Sequence, residues 1–321
     1  MKRNSRSAKP ERPKAYGVLA RTPAIYPRHA IGRAIRQIAH QILADARRTL
    51  QNPSKSDAIV IHDFRRAMKR WRAFLRLLME TLGEEGHKLR QDARDRAREL
   101  ARSRDAQSAL DALADIRKMP ARRGLSPFSL TDRLIALLKA NRQKMETATL
   151  TPKLRSRLKF AVETASASVD RWPMKAISFD EILARLTSDY RRARRATPSN
   201  WSNAAPQALH KLRQRVIIHR YQMELLEPLW PRMGRAWIRE AQGLRAQLGK
   251  IQDLHVLANF AAPGQPLAKW RSRLLPVIAR RQSDHAAAAK LCASRLFAET
   301  PKAFRRRFEA LWRASGEGVN R

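Results

Sequence analysis

Hydrophobic residues recur every three to four positions along most of the chain, and the two-residue alternation typical of strands is absent. Ile31, Ile35, Ile38 and Ile42, for example, mark one face of a helix. Proline-containing breakers such as Asn52-Pro53 interrupt the pattern and leave segments of roughly 15–30 residues, the length of long bundle helices. The pattern therefore predicts an all-α fold.

Several breakers carry the chemistry of helix starts. Thr151-Pro152 and Thr300-Pro301 each place a hydroxyl at the N-cap and a proline at the first helical position. Ser178-Phe-Asp-Glu181 has the spacing of a capping box. Helices are therefore predicted to begin at these three places.

An internal repeat is the most informative feature of the pattern. The segment His62-Asp-Phe-Arg65 recurs 148 residues later as His210-Lys-Leu-Arg213. The same offset pairs further residues: Arg72 with Arg220, Leu77-Leu78 with Leu225-Leu226, Leu100 with Leu248, and Asp105 with Asp253. Separate motifs that share one offset indicate a duplication.

The duplication predicts a division of the chain into three parts. Residues 1–25 form a flexible basic arm, residues 26–168 the first helical bundle and residues 169–315 the second. The hydrophobic fraction of 43% is large enough for a substantial core, so the chain is not a disordered basic tail.

One face of the helix that begins near His62 is predicted to be entirely basic. At 100° per residue, about a third of its circumference carries His62, Arg65, Arg66, Lys69, Arg72 and Arg76. The opposite face carries Phe64, Met68, Trp71, Leu75 and Leu78 and should pack into the core. Like charges at these spacings repel one another. The arrangement makes sense if a row of phosphates lies along a stripe about 20 Å long.

The helix from His210 repeats this design in a weaker form. His210, Arg213 and Arg220 keep the basic face, and Lys211 lies beside it. Ile217 and Glu224 replace the positions of Lys69 and Arg76, so fewer phosphate contacts are expected here. His219 takes the place of Trp71 and is expected to pack in the core.

The charge of the chain favours a polyanionic partner. Sixty-seven Lys and Arg residues against 28 Asp and Glu give a formal net charge of +39, which opposes compaction unless a polyanion balances it. Arginine outnumbers lysine, and its planar fork can hold two phosphate oxygens at once. A surface made basic for solubility remains the alternative explanation.

The sequence predicts no enzyme, no cofactor and no metal site. The single cysteine, Cys292, excludes an intrachain disulfide and a multi-cysteine metal site. Neither a glycine-rich phosphate loop nor a His-Glu-x-x-His motif is present. His62-Asp63 matches a dipeptide of metal-dependent phosphohydrolases, but on a helix Asp63 points about 100° away from His62 into cationic surroundings. No apolar run is long enough to cross a membrane and no secretory signal is visible, so a cytoplasmic location is expected.

At these motifs the sequence resembles the CHAD family, the conserved histidine α-helical domain. The resemblance rests on the two histidine motifs and on Leu100-Ala-Arg-Ser-Arg-Asp105 and Leu248-Gly-Lys-Ile-Gln-Asp253. It implies that residues 26–315 form one domain of two similar antiparallel helical bundles, related by pseudo-twofold symmetry around a basic central channel or groove. It also implies binding of long-chain inorganic polyphosphate, association with polyphosphate granules, and polyphosphate-metabolising enzymes as possible partners.

The resemblance implies ligand contacts at the matching positions, namely His62, Arg65, Lys69, Arg72, His210, Arg213 and Arg220. The chain departs from the family pattern at Ile217 and Ile218, which puts a symmetrical channel in doubt. Additional candidates, for which plain surface is the alternative, are Arg33, Arg36, His40, Arg104, Arg191 and Arg194. With the two histidines protonated beside phosphate, affinity should rise as the pH falls from about 8 to 6.

Two other functions stay open at this point. A nucleic-acid-binding protein would explain the charge, but only 6% of residues are aromatic, and those near the stripe lie on or beside its apolar face. An interaction scaffold could use the basic residues 2–14 to lie on anionic membranes or to recruit a partner enzyme.

Overall fold

The structure is a computed structural model that describes residues 24–26, 30–100, 104–119, 132–139, 150–174 and 177–317. All regular structure in these ranges is helical, as the hydrophobic period predicts. The long helices are α1 (Ile31–Gln51), α2 (Asp57–Leu75), α3 (Met79–Glu99), α4 (Arg104–Ile116), α5 (Pro152–Val169), α6 (Phe179–Arg195), α7 (Pro206–Leu226), α8 (Pro231–Phe260), α9 (Arg271–Leu296) and α10 (Pro301–Glu317). Residues 132–139 are also helical, and 3-10 turns follow α2 and α7 and precede α9.

The three predicted helix starts are confirmed with their caps. Thr151 and Thr300 each accept a backbone hydrogen bond at 3.2 Å from the residue three positions later. The Ser178 hydroxyl accepts from the Glu181 amide at 3.2 Å, and the Glu181 carboxylate accepts from the Ser178 amide at 2.8 Å. Each contact satisfies amide donors that the first helical turn leaves without an intrahelical partner.

Helix α2 lies at the centre of the packing. It contacts α1, α3 and α7, so the two helices that carry the histidine motifs pack directly against each other. The predicted apolar face of α2 is buried, with Phe64 at 0% and Trp71 at 1% exposure. These side chains join a core cluster that also includes Leu212 and Val216 of α7. The main core therefore runs across the predicted boundary between the two bundles.

A second core cluster also joins the two predicted halves. Leu113 of α4 and Leu134 pack with Leu257 of α8 and Leu274 of α9. Helix α4 therefore packs on α8 and α9 of the other half.

Helices α1 and α6 begin at Ile31 and Phe179, which are separated by the 148 residues of the sequence repeat. The division at residue 168 and the pseudo-twofold symmetry of the halves stay predictions.

The predicted N-terminal arm falls mostly outside the described residues, which begin at Ala24. Ala24 and Ile25, its last two residues, are buried. The Ile25 amide donates to the Leu225 carbonyl oxygen at 2.9 Å, so this end of the arm packs onto α7.

Within the described ranges, no helix combines the length and the apolar character that a membrane crossing requires.

Candidate anion-binding site

The basic stripe of α2 lies between α3 and α7, which both pack on this helix. On the α3 side, Arg65 donates through Nη1 to the Leu100 carbonyl oxygen at 2.8 Å. On the α7 side, Arg66 and Arg70 are close enough to Glu224 for their charges to act on it; burial nevertheless raises the pKa of that carboxyl. The stripe thus has neighbouring helices on both flanks.

Arginines of α3 face the C-terminal part of the stripe. Burial lowers the pKa of Arg72, and the positive charges of Arg94, Arg98 and Arg76 lower it further. Burial likewise lowers the pKa of Arg90, with additional contributions from Arg76 and Arg72. Because like charges shift each other's pKa in this way only at short range, these guanidinium groups lie close together.

The second half of the chain adds two arginines to the same region. Burial lowers the pKa of Arg215 on α7, and the charges of Arg76 and Arg192 act in the same direction. We call this group the arginine cluster: Arg72, Arg76, Arg90, Arg94, Arg98, Arg192 and Arg215. Its members come from α2, from the turn after it, and from α3, α6 and α7.

A buried acid lies at the inner end of the arginine cluster. Asp189 accepts from Arg76 through both carboxylate oxygens, one of them from Nε at 2.9 Å. It also accepts from Gln222 at 2.8 Å and lies 3.8 Å from Arg192. Burial favours the neutral acid, but the hydrogen bond and charge of Arg76 outweigh it and the pKa of Asp189 is lowered.

The N-terminal end of the stripe is more open. His62 is exposed, as is Arg66. Partial burial lowers the pKa of His62; the Asp63 charge opposes this, and the charges of Arg66, Lys69 and Arg245 add to it. Arg245 belongs to α8, so a further helix contributes a cation to this end.

Asp63 is paired with two neighbouring cations. Its carboxylate accepts from Lys55 at 2.7 Å and lies 3.5 Å from Arg66. In the part of the chain that the structure describes, no three His, Cys, Asp or Glu side chains are grouped so as to hold a metal ion.

The second histidine motif is engaged with protein partners. His210 donates through Nδ1 to Gln252 Oε1 at 2.6 Å and accepts through Nε2 from Gln214 Nε2 at 2.7 Å. The Arg213 guanidinium lies against Gly249 of α8. Lys211 is exposed.

Arg220 of the same motif is largely enclosed. It donates to Glu224 at 2.7 Å, its guanidinium carbon lies 4.1 Å from the centre of the Tyr221 ring, and its side chain is 12% exposed. His219, which was expected to pack in the core, is 0% exposed and accepts from Trp237 Nε1 at 2.9 Å.

The additional α1 candidates face another helix. Arg36 donates to the Trp172 carbonyl oxygen at 3.0 Å, and His40 contacts Asp170 at 2.9 Å and Ser166 at 3.2 Å. These contacts join α1 to the end of α5, away from the arginine cluster. Arg33 is exposed on α1.

Of the remaining candidates, one contacts a backbone carbonyl group, one is exposed and one has a side chain outside the described residues. Arg194 donates through Nε to the Phe297 carbonyl oxygen at 3.1 Å at the end of α9, and Arg191 is exposed. The side chain of Arg104 lies outside the described residues. The structure thus gathers Arg72 and Arg76 of the predicted stripe into the cluster, and His62, Arg66 and Lys69 at its open end.

Sequence reasoning missed the arginines of α3. Arg90, Arg94 and Arg98 are spaced by four residues and share one helical face, a signal that was available in the sequence. Arg192 and Arg245 carry no comparable signal, since their approach depends on how α6 and α8 pack.

Comparisons with known proteins agree on the fold. A family model described as CHAD domain matches residues 32–262. The crystal structure of the CHAD domain from the plant Ricinus communis aligns with a TM-score of 0.53 at 20% sequence identity, covering 91% of this chain and 95% of that one. No curated protein matches the chain. The structural similarity shows a shared helical fold.

Proposed function

The chain belongs to the CHAD domain family, and on that premise we propose that it binds inorganic polyphosphate along the α2 stripe from His62 to Arg72 and on the arginines of the cluster that belong to α3, α6 and α7. The observation that carries the proposal is the convergence of arginines from α2, α3, α6 and α7, where burial and the charges of neighbouring arginines lower the pKa of Arg72, Arg90 and Arg215. Such a group of cations repels itself, and a linear polyanion relieves that repulsion.

The dimensions of the stripe suit an extended chain of phosphates. From His62 to Arg72, α2 advances about 1.5 Å per residue, which gives a length of about 15 Å. Each guanidinium can bind two phosphate oxygens in a planar fork. A polyphosphate chain can therefore meet several cations in succession, whereas a single phosphate meets one or two.

We infer a binding role without catalysis. Asp63, the acid next to His62, is already paired with Lys55 and Arg66, and cations surround it. These charges oppose the binding of a divalent cation that hydrolysis by a His-Asp pair needs. Association with polyphosphate granules and contact with polyphosphate-metabolising enzymes belong to this proposal.

Nucleic acid is the alternative polyanion, and the aromatic residues near the stripe argue against it. Phe64, Trp71 and Phe74 are at most 2% exposed, so they cannot stack on bases. The test is competition between long-chain polyphosphate and DNA or RNA of equal phosphate content at physiological salt. Preference for nucleic acid would reverse the proposal.

A pair of exposed arginines on α3 tests the location of the site. Arg94→Gln with Arg98→Gln should weaken polyphosphate binding. The slope of log affinity against log salt concentration should decrease in magnitude by about 1.4–1.8, the value for two lost phosphate contacts. The control removes two exposed cations at the same spacing on α10, Lys302→Gln with Arg306→Gln, and should leave the slope unchanged. Equal losses in both variants would indicate binding by net charge alone.

A further inference from the structure

Arg76 makes a two-nitrogen contact with a buried acid, Asp189, which Arg192 of the cluster approaches only to 3.8 Å. The Arg76 side chain is 14% exposed and that of Asp189 is 6% exposed, so little of either group is open to solvent. The contact uses two guanidinium nitrogens and both carboxylate oxygens. Three of the five guanidinium N–H groups are not used by Asp189, but they belong to a largely buried side chain and offer little access to a phosphate.

Gln222 fixes the acid in this position. Its Nε2 donates to Asp189 Oδ2 at 2.8 Å, and the Gln222 side chain is fully buried. Asp189 lies on α6, Gln222 on α7 and Arg76 at the end of α2, so the pair sits where both halves of the chain meet. Breaking it would leave a buried charge without compensation.

The neighbouring arginines are in a different state. Within the described residues, Arg72, Arg90 and Arg215 make no ion pair within 4.0 Å, and all three are partly exposed. Arg192 is half exposed, and its contact with Asp189 is longer, at 3.8 Å. These cations therefore keep N–H donors for a ligand, whereas Arg76 already uses two of its donors on Asp189.

We propose that Asp189 is a resident counter-anion of the site: it withdraws Arg76 from ligand binding and so sets the inner limit of the polyanion path. This inference rests on the proposed function, because it concerns which cations of the same site the polyphosphate meets. Asp189 is thus a positioning residue, and Arg76 belongs to the frame of the site and not to its ligand contacts.

The inference predicts an effect that a purely structural role would not produce. Asp189→Asn keeps the shape of the side chain but removes its charge, which loosens the hold on Arg76. Polyphosphate binding should then become more salt-dependent, with the slope steeper by about 0.7–0.9, the value of one added phosphate contact. Affinity should rise even though the folded state becomes less stable. A slope equal to that of the unaltered protein would overturn the inference.

A second variant covers the case in which Asp189→Asn does not fold. Arg76→Gln together with Asp189→Asn removes both charges and leaves no uncompensated ion. The salt slope should then match that of the unaltered protein, because neither group was available to the ligand. A slope flatter by about one contact would show that Arg76 binds polyphosphate and that the inference is wrong.

Experiment can separate the proposed polyphosphate binding from the proposed role of Asp189. If the unaltered protein binds no polyphosphate, the proposed function is wrong. If it binds polyphosphate and the double variant loses a contact, only the role of Asp189 is wrong. Arg72→Gln is the matched reference, since it should flatten the slope by about 0.7–0.9.

Discussion

Arg65, the second member of the histidine motif, donates to the carbonyl oxygen of Leu100, the C-cap residue of α3. The motif predicts Arg65 as a ligand contact, and that role stays a prediction. The same side chain also ties α2 to the C-terminal end of α3. Loss of binding in an Arg65 variant would therefore mix two effects, and its stability has to be measured separately.

Replacing Arg65 should destabilise the fold more than replacing its neighbour. Arg65→Gln removes a donor to a carbonyl group in partly buried surroundings, which should lower the free energy of unfolding by about 1–2 kcal/mol. Arg66→Gln removes the same charge from an exposed side chain and should change stability by less than about 0.5 kcal/mol. Urea titrations of both variants measure the difference. Equal values would mean that the Leu100 contact contributes nothing.

Local rules predicted the helices but not their long-range partners. The caps at Thr151, Ser178 and Thr300 could be identified because an N-cap involves residues only three positions apart. The basic face of α2 followed from helical periodicity alone. The pairing of Arg76 with Asp189 joins residues 113 positions apart, and no local pattern specifies it.

The same limit explains the α1 candidates. Arg36 and His40 are additional ligand candidates by sequence, but helical periodicity does not say which helix their face of α1 meets. In the structure it meets the end of α5, where Arg36 donates to the carbonyl oxygens of Val169 and Trp172. Basic residues at such ends serve the fold, and sequence alone does not separate them from ligand contacts.

Stability should decrease on mild acidification because His219 is buried as a neutral ring. Burial lowers its pKa to about 3 in the folded state, against about 6.5 when the chain is unfolded. Between these values the unfolded chain binds more protons, so stability falls as the pH drops below about 6.5. The expected loss is about 1.4 kcal/mol per pH unit.

His219→Gln isolates this contribution, since the amide oxygen can still accept from Trp237 but does not titrate. Denaturant unfolding between pH 6.5 and 4.5 should show a profile flatter by about 1.4 kcal/mol per pH unit than that of the unaltered protein. Carboxyl groups with shifted pKa values, such as Asp115, Asp189 and Glu224, are present in both proteins, so their contributions cancel in this comparison. An unchanged profile would place the loss at other groups, such as His285.

Two glycines on helices should respond in opposite directions to alanine. A side chain at Gly32 would overlap the Met174 carbonyl group, whose carbon would lie 2.9 Å from the new Cβ. Gly32→Ala should therefore lower the free energy of unfolding by about 1–3 kcal/mol. At Gly249, inside α8, the nearest atom is Arg213 Nε at 3.6 Å, an ordinary contact. Gly249→Ala should raise the free energy of unfolding by about 0.5–1 kcal/mol, because alanine has a higher helix propensity than glycine. Thermal unfolding of the two variants checks the signs.

The pH dependence of polyphosphate binding should depend on His62 more than on His210. Burial and the charges of Arg66, Lys69 and Arg245 lower the pKa of His62, so in the absence of ligand the ring is neutral at pH 7.5. Bound phosphate supplies the opposite charge and raises that pKa, so binding takes up a proton and affinity increases as the pH falls. His210 already uses both ring nitrogens on Gln252 and Gln214.

The measurement is affinity for long-chain polyphosphate at pH 8, 7 and 6 and constant ionic strength, with proton uptake read from calorimetry in buffers of different ionisation heat. Affinity should rise towards acid by at most about tenfold per pH unit, the limit for one proton. His62→Gln should flatten the profile, and His210→Gln should leave most of it. A profile equally steep after His62→Gln would remove His62 from the ligand contacts, and the open end of the stripe would then bind through Arg66, Lys69 and Arg245 alone.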